Sequence, residues 1–100
     1  MKKIALIVVS LLIASPAHAI TVKGCTSIAE LAQSVMKARQ VGVPMAEAFQ
    51  AVGNNTLFQS IVIDAYEKPA FMTKSIQEKV IRDFYDKWFL SCIKAMGHER

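Results

Sequence analysis

The sequence predicts a small all-α domain in which four helices are closed by one disulfide. Apolar residues recur at helical spacing in four segments after an N-terminal leader, and no two segments alternate as paired strands would. The only two cysteines, Cys25 and Cys92, lie near the two ends of the part that follows the leader. These observations divide the chain into a signal peptide, residues 1–19, and a single helical domain, residues 20–100.

The leader has the pattern of an export signal. A basic pair, Lys2-Lys3, is followed by an apolar run at residues 4–13. This run is too short to cross a bilayer as a stable helix. Ala17-His18-Ala19 matches the small-x-small pattern of a cleavage site. We therefore expect cleavage after Ala19 and an exported protein, periplasmic or secreted, that is not membrane-anchored once the signal is removed.

Two other interpretations of the leader stay open. A lipoprotein would be processed at Cys25, although Lys23 stands where that processing requires a small or apolar residue. In the other interpretation, the apolar run is never cut and anchors the chain in the membrane.

The charge balance argues against a nucleic-acid partner. The chain has twelve basic and eight acidic residues, and loss of Lys2 and Lys3 with the leader leaves a net charge of +2. A nucleic acid or an anionic membrane would select a basic stripe. Basic and acidic residues are instead interspersed, at Asp64, Glu67, Lys68, Lys74, Glu78, Lys79, Arg82, Asp83, Asp86, Lys87 and Lys94. We therefore expect a mixed, solvated face and no nucleic acid among the partners.

The two cysteines supply the covalent cross-link that a domain of this size needs, since its hydrophobic core alone gives only marginal stability. In an oxidising compartment, two cysteines in a small domain indicate a structural bridge. The chain has no C-x-x-C motif, and two thiols with His98 near the C-terminus make a poor zinc set. We therefore predict a Cys25–Cys92 disulfide, no metal and no cofactor. A bridge between two chains, with one thiol from each, is the alternative.

The first two helices are bounded by capping signals. Ser27-x-x-Glu30 is a capping box and predicts the start of the first helix. Gly42 is expected to end that helix. Pro44 then suits the first position of a short second helix, which ends at Gly53.

The third and fourth helices carry most of the apolar residues. The third is predicted at residues 56–67, with so few polar positions that we expect burial on more than one side. Residues 61–63 alone resemble a strand, but no partner strand is present. Ser75-x-x-Glu78, a second capping box, predicts the start of the last helix, which continues to about Met96.

Two predictions concern the contacts of the last helix. A bond between Cys92, on its apolar side, and Cys25 would place the first and last helices side by side with the third between them. On its solvent side, Glu78–Arg82 and Asp83–Lys87 are expected to pair at i,i+4 spacing.

Few polar residues are candidates for a functional site. Arg39 lies near the apolar stripe of the first helix, as a recessed cation for an anionic ligand or as a brace paired with Asp64 or Glu67. We favour the brace. Asp64 and Glu67 could share a helix face, but no third ligand or base accompanies them. His98 follows Gly97 in a tail that would not position a general base. The sequence therefore predicts no catalytic residue and no enzyme.

The last helix carries an unusually heavy aromatic load, at Phe84, Tyr85, Trp88 and Phe89. These residues span more than half a helical turn, so some would lie outside a four-helix core. An exposed aromatic patch would serve a protein partner or a homodimer. Thorough burial in a compact bundle is the alternative and is slightly favoured.

Two stretches of the chain, together with its two cysteines, resemble a group of small exported proteins of bacteria and their phages. In that group a cysteine, an M-x-x-R-Q-x-G-V stretch, an A-Y-x-x-P stretch and a late cysteine follow one another. Here these correspond to Cys25, residues 36–43, residues 65–69 and Cys92. The resemblance covers most of residues 25–92 and implies a disulfide-closed helical fold, but no activity. It directs attention to four polar residues as a brace or a site, namely Arg39, Gln40, Tyr66 and Glu67.

Two functions are consistent with these features. The first is a periplasmic interaction protein, such as an inhibitor, adaptor or accessory factor, with no chemistry of its own and an unknown protein partner. The alternative is a periplasmic stress holdase that exposes apolar surface when its acidic residues are protonated. The residues available for such a switch are Asp64, Glu67, Glu78, Asp83 and Asp86.

Overall fold

Four helices form the part of the fold that the structure describes. The computed structural model describes residues 21–97, which form α1 (Val22–Gln40), α2 (Met45–Ala51), α3 (Thr56–Tyr66) and α4 (Lys74–Ala95). No strand occurs in this part of the chain, and residues 61–63 are helical. The predicted all-α class is therefore confirmed. The predicted signal peptide, residues 1–19, and His98 lie outside the described residues.

Helix α1 begins earlier than its predicted capping box. Thr21 is the N-cap, and its Oγ1 accepts a hydrogen bond from the Gly24 amide at 3.0 Å. Ser27 lies within the helix, where its hydroxyl donates to the carbonyl of Lys23. The box at Ser27 was therefore the wrong start, because Thr21 already satisfies a first-turn amide and the helix continues through it. As a result, Cys25 lies inside α1 rather than before it.

Helix α4 also begins ahead of its predicted capping box. Thr73 is the N-cap, without a hydrogen bond from its side chain, and Ser75 is the second helical residue. The other boundaries follow the predictions more closely. Gly42 ends α1 with a φ of 91°, a left-handed conformation that glycine adopts without steric cost. Pro44 is the N-cap of α2, one position before its predicted place.

Helix α1 lies at the centre of the fold, in contact with each of the other three helices. Its most extensive contact is with α4, and its next is with α3. The prediction that the third helix lies between the first and last was therefore wrong, because α1 and α4 pack directly on each other. The buried core comprises Ala32, Val35, Met36, Ala48, Ile61, Val62, Ala65 and Phe84.

Helix α3 is buried on one side only, which corrects the prediction of wider burial. Ile61, Val62 and Ala65 face the core and are fully buried. Leu57 and Ile63 are 40% and 42% exposed. A helix that packs mainly against α1 and α2 leaves its outer face to solvent, whatever its composition.

The predicted disulfide is confirmed as a bond within the chain. Cys25 and Cys92 form it with their Cα atoms 5.4 Å apart, and the side chain of Cys25 is fully buried. Because Cys25 is in the first turns of α1 and Cys92 is near the end of α4, the bond holds two antiparallel helices at one end.

The ion pairs of α4 differ from the predicted ones. Lys74 pairs with Glu78 at 3.8 Å, Lys79 pairs with Asp83 at 2.6 Å, and Lys87 reaches Asp64 on α3 at 2.7 Å. The predicted Glu78–Arg82 and Asp83–Lys87 pairs do not form. At i,i+4 spacing each of these carboxylates has a basic residue on either side, and Lys87 bonds Asp64 on α3 instead of Asp83 on its own helix.

The aromatic side chains of α4 face the protein more than the solvent. Phe84 is buried, and Trp88 packs against it edge to face with ring centroids 6.4 Å apart. Tyr85 and Phe89 are half-buried and stack on each other, also at 6.4 Å. None of the four is exposed, so burial is the better of the two interpretations.

Candidate functional site

Gln40, the last residue of α1, is the centre of a buried polar cluster. Its Nε2 donates to the carbonyl of Pro69 at 2.9 Å, and its Oε1 accepts from the amide of Phe71 at 2.8 Å. Gln77, on the inner side of α4, donates from Nε2 to the carbonyl of Phe71 at 2.5 Å and to that of Gln40 at 3.4 Å. These bonds fix the segment between α3 and α4 to the end of α1 that lies away from the disulfide.

Arg39 and Tyr66 extend this cluster. The Nε of Arg39 donates to the carbonyl of Lys68 at 2.9 Å, and its guanidinium lies 5.3 Å from the centre of the Tyr66 ring. That distance is within the range of a cation–π contact. The Tyr66 hydroxyl donates to the carbonyl of Val43 at 2.7 Å. Burial raises the pKa of the Tyr66 phenol, which therefore keeps the proton that it donates.

The predicted pairing of Arg39 with Asp64 or Glu67 does not form, and Arg39 has other partners. Arg39 contacts a backbone carbonyl and an aromatic ring rather than Asp64 or Glu67, because the chain turns after α3 and presents its carbonyls to the end of α1. Glu67 is exposed and makes no ion pair with Arg39. We call Arg39, Gln40, Tyr66 and Gln77 the anchoring cluster, since all four bond backbone carbonyls of connecting segments.

Asp64 forms a second cluster, which joins α3 to α4. Its carboxylate accepts from Lys68 at 2.7 Å, from Lys87 at 2.7 Å and from the indole Nε1 of Trp88 at 3.0 Å. We call these four residues the Asp64 cluster. Since α3 and α4 make few other contacts, the cluster is the main polar connection between them.

The charges of the Asp64 cluster favour the ionised carboxylate. Burial tends to raise the pKa of Asp64, but the hydrogen bonds and charges of Lys68 and Lys87 outweigh it and lower the pKa below its ordinary value. The hydrogen bond that Lys68 donates to Asp64 in turn raises the pKa of Lys68. A carboxylate held ionised by two cations is a weak base, so this arrangement suits structural linkage better than proton transfer.

Several members of the two clusters were not identified from the sequence. The segment 61–69 contains Lys68, but its role depends on the turn after α3. Gln77 lies seven residues before Phe84, so helical spacing could have placed it on the inner face of α4. Lys87 gave no such signal, because its partner is on another helix.

Three exposed apolar residues lie beside the anchoring cluster. Val41 follows Gln40, Met72 follows Phe71 and Ile76 precedes Gln77, so the hydrogen bonds of that cluster bring the three to one end of the molecule. Their exposed fractions are 70%, 97% and 42%. We call these three residues the apolar tip. Isolated exposed apolar residues are common, but these three lie on or beside backbone that hydrogen bonds hold in place.

Comparison with known proteins identifies no relative. No protein-family model, curated protein or solved structure matches this chain. The resemblance to exported bacterial and phage proteins therefore remains a prediction.

Among residues 21–97, no group of three or more His, Cys, Asp or Glu residues could hold a metal ion. No helix in the same range is long and apolar enough to cross a membrane.

Proposed function

We propose that this is a small exported protein that acts by binding another protein and has no chemistry of its own. The observation that carries the proposal is the apolar tip. Met72 is almost fully exposed on a segment that several hydrogen bonds hold in place, so binding would not first have to order it. The periplasm is the proposed location, in agreement with the disulfide and with the predicted export signal.

The polar residues singled out from the sequence support the proposal that the protein has no chemistry of its own. The side chains of Arg39, Gln40, Asp64 and Tyr66 are all engaged in bonds within the protein. The aromatic side chains of α4 are at least half-buried, so the docking surface differs from the aromatic face considered from sequence. The apolar tip replaces that face as the proposed contact.

Photo-crosslinking tests this proposal. The oxidised protein, residues 20–100, would carry a photoreactive amino acid at Met72 and be irradiated in bacterial periplasmic extract. We expect one saturable product that excess unlabelled protein competes away. A matched probe at Leu90, which is 56% exposed on α4, should not give it.

The size of the crosslinked product identifies the kind of partner. A product of twice the protein's own mass would identify a homodimer, which is still a protein partner. Absence of a saturable product, or the same product from both positions, would contradict the proposal.

The alternative function, an acid-activated holdase, is favoured by one feature, the Asp64 cluster. The folded pKa of Asp64 lies below its ordinary value of 3.8, so the carboxylate stabilises the fold above that pH. This stabilisation is lost as the pH falls through the lowered folded pKa. Protonation removes the charge that Lys68 and Lys87 face, which weakens the connection of α3 to α4 and would uncover the half-buried residues between them.

A pH titration checks this alternative. Trp88 is the only tryptophan and bonds Asp64 directly, so its fluorescence should shift as the pH falls below about 4. Dye-detected apolar surface should rise over the same range. Asp64→Asn should abolish most of the fluorescence shift and lower the free energy of unfolding at neutral pH by about 1 kcal/mol, since the two lysines are partly exposed.

Asp86→Asn is the matched control, because Asp86 is an exposed carboxylate of α4 outside the four ion pairs of residues 21–97. It should leave the titration unchanged. A wild-type protein that stays compact at pH 2–3, without added dye binding, would rule out the holdase.

A further inference from the structure

A cleft opens between α1 and α4, next to the apolar tip. Its volume is about 620 Å³, within the range of pockets that hold ligands. Amide and apolar side chains line it together with charged ones: Gln33, Lys37, Gln40, Val41, Lys74, Gln77, Glu78, Ile81 and Arg82. Val41 also belongs to the apolar tip, so the cleft and the tip share this residue.

The cleft carries an excess of positive charge. Lys37, Lys74 and Arg82 line it against a single carboxylate, Glu78. Glu78 is 3.8 Å from Lys74, a loose pair between exposed groups. Neither Lys37 nor Arg82 makes an ion pair with any residue in the range 21–97. The cleft therefore holds two cations that the fold itself does not neutralise.

We infer that this cleft binds an acidic segment of the protein partner, one that carries an apolar side chain beside its carboxylates. The inference rests on the proposed protein-binding function and adds the chemistry of the partner. The carboxylates would lie opposite Lys37 and Arg82. The apolar side chain would contact Val41 and Ile76 at the edge of the apolar tip, where it removes apolar surface from water.

A protein segment fits these features better than a small anion does. The cations lie on two helices, and the side-chain amide of Gln33 lines the same cleft as a further hydrogen-bond donor. A small anion could use the cations but would leave the neighbouring apolar surface uncovered. An acidic chain segment can contact both at once.

A peptide titration followed by NMR tests the inference on the oxidised protein, residues 20–100. The probe is a short glutamate-rich peptide with a central leucine. Comparison probes replace the glutamates with lysine or the leucine with glycine, and inorganic phosphate serves as the small anion. We expect the first peptide to bind tightest and to shift the side-chain amides of Gln33 and Gln77. Equal binding of the lysine peptide, or phosphate that saturates the same shifts as tightly, would overturn the inference.

Four variants with matched charge changes show whether the charged residues of the cleft contribute to peptide binding. Arg82→Gln should weaken binding of the acidic peptide by about fivefold, and Glu78→Gln should strengthen it by about twofold. Lys94→Gln and Glu47→Gln make the same charge changes elsewhere and should alter it less than twofold. Lys94 is about 18 Å along α4 from Arg82, beyond the screening length of about 8 Å at physiological salt.

The variants also separate this inference from the proposed function. A partner that crosslinks through Met72 but is insensitive to Arg82→Gln would refute the acidic segment and leave protein binding intact. If the acidic peptide binds as expected while no partner crosslinks, the result supports binding of acidic segments in the cleft and contradicts the proposed contact of a partner with the apolar tip. Effects of the same size from Arg82→Gln and Lys94→Gln would show binding to net charge alone and overturn the inference.

Discussion

Replacement of both cysteines by alanine, Cys25→Ala with Cys92→Ala, is expected to lower the free energy of unfolding by about 4 kcal/mol. The bond joins residues separated by 67 positions, and cross-linking a loop of this size removes much of the conformational entropy of the unfolded chain. A domain this small has a total stability of only about 5 to 10 kcal/mol. Urea unfolding monitored by circular dichroism measures the change.

Alanine is the suitable replacement because both positions are buried and a serine hydroxyl would have no assured partner there. The wild-type protein in reductant provides the control, since it breaks the bond without removing side chains. Both samples should unfold at similar, lowered urea concentrations. A double variant as stable as the oxidised wild type would show that α1 and α4 hold together without the disulfide.

Gln40→Leu is expected to lower the free energy of unfolding by about 2 to 3 kcal/mol. The glutamine side chain is 5% exposed, and its loss leaves the Phe71 amide and the Pro69 carbonyl without their partners. Each unsatisfied group costs about 1 to 3 kcal/mol when buried, and these two are only partly buried. Leucine has a similar volume, so the change tests the hydrogen bonds more than the packing.

Gln33→Leu is the matched control on the same helix. Gln33 is half-buried and makes no hydrogen bond from its side chain in the range 21–97, so we expect a change below about 0.5 kcal/mol. Hydrogen exchange of the Phe71 amide provides a local measurement, since only the loss of Gln40 should accelerate it. Equal stability of the two variants would contradict the role assigned to the anchoring cluster.

Helical periodicity and turn residues were sufficient to predict most of the secondary structure. Gly42 and the start of the third helix at Thr56 are boundaries that the structure keeps, because they depend on local backbone sterics and on the Asn55 cap. The two capping boxes predicted helix starts that lie too late in the chain, and both errors have the same cause. Each began with a serine that a helix can also carry inside, and a threonine further upstream took the N-cap position.

Tertiary contacts decided what the polar residues do. Arg39, Gln40, Asp64 and Tyr66 were singled out from sequence, but their partners are mainly backbone carbonyls and residues of other helices. A carbonyl has no signature in the sequence, so only the path of the chain after α3 shows that it is available. The same holds for Lys87, which bonds Asp64 across helices instead of its own neighbour Asp83.

The sequence by itself determined the all-α class and the four helices of residues 21–97 and favoured the pairing of Cys25 with Cys92, because periodicity and cysteine count are properties of the chain. Only the tertiary structure decided that α1 is central, that the aromatic residues of α4 face inward and that three of the exposed apolar residues lie together at the apolar tip. Those outcomes depend on which helix faces meet. Because α1 and α4 pack directly on each other as antiparallel helices, α3 packs to the side of α1.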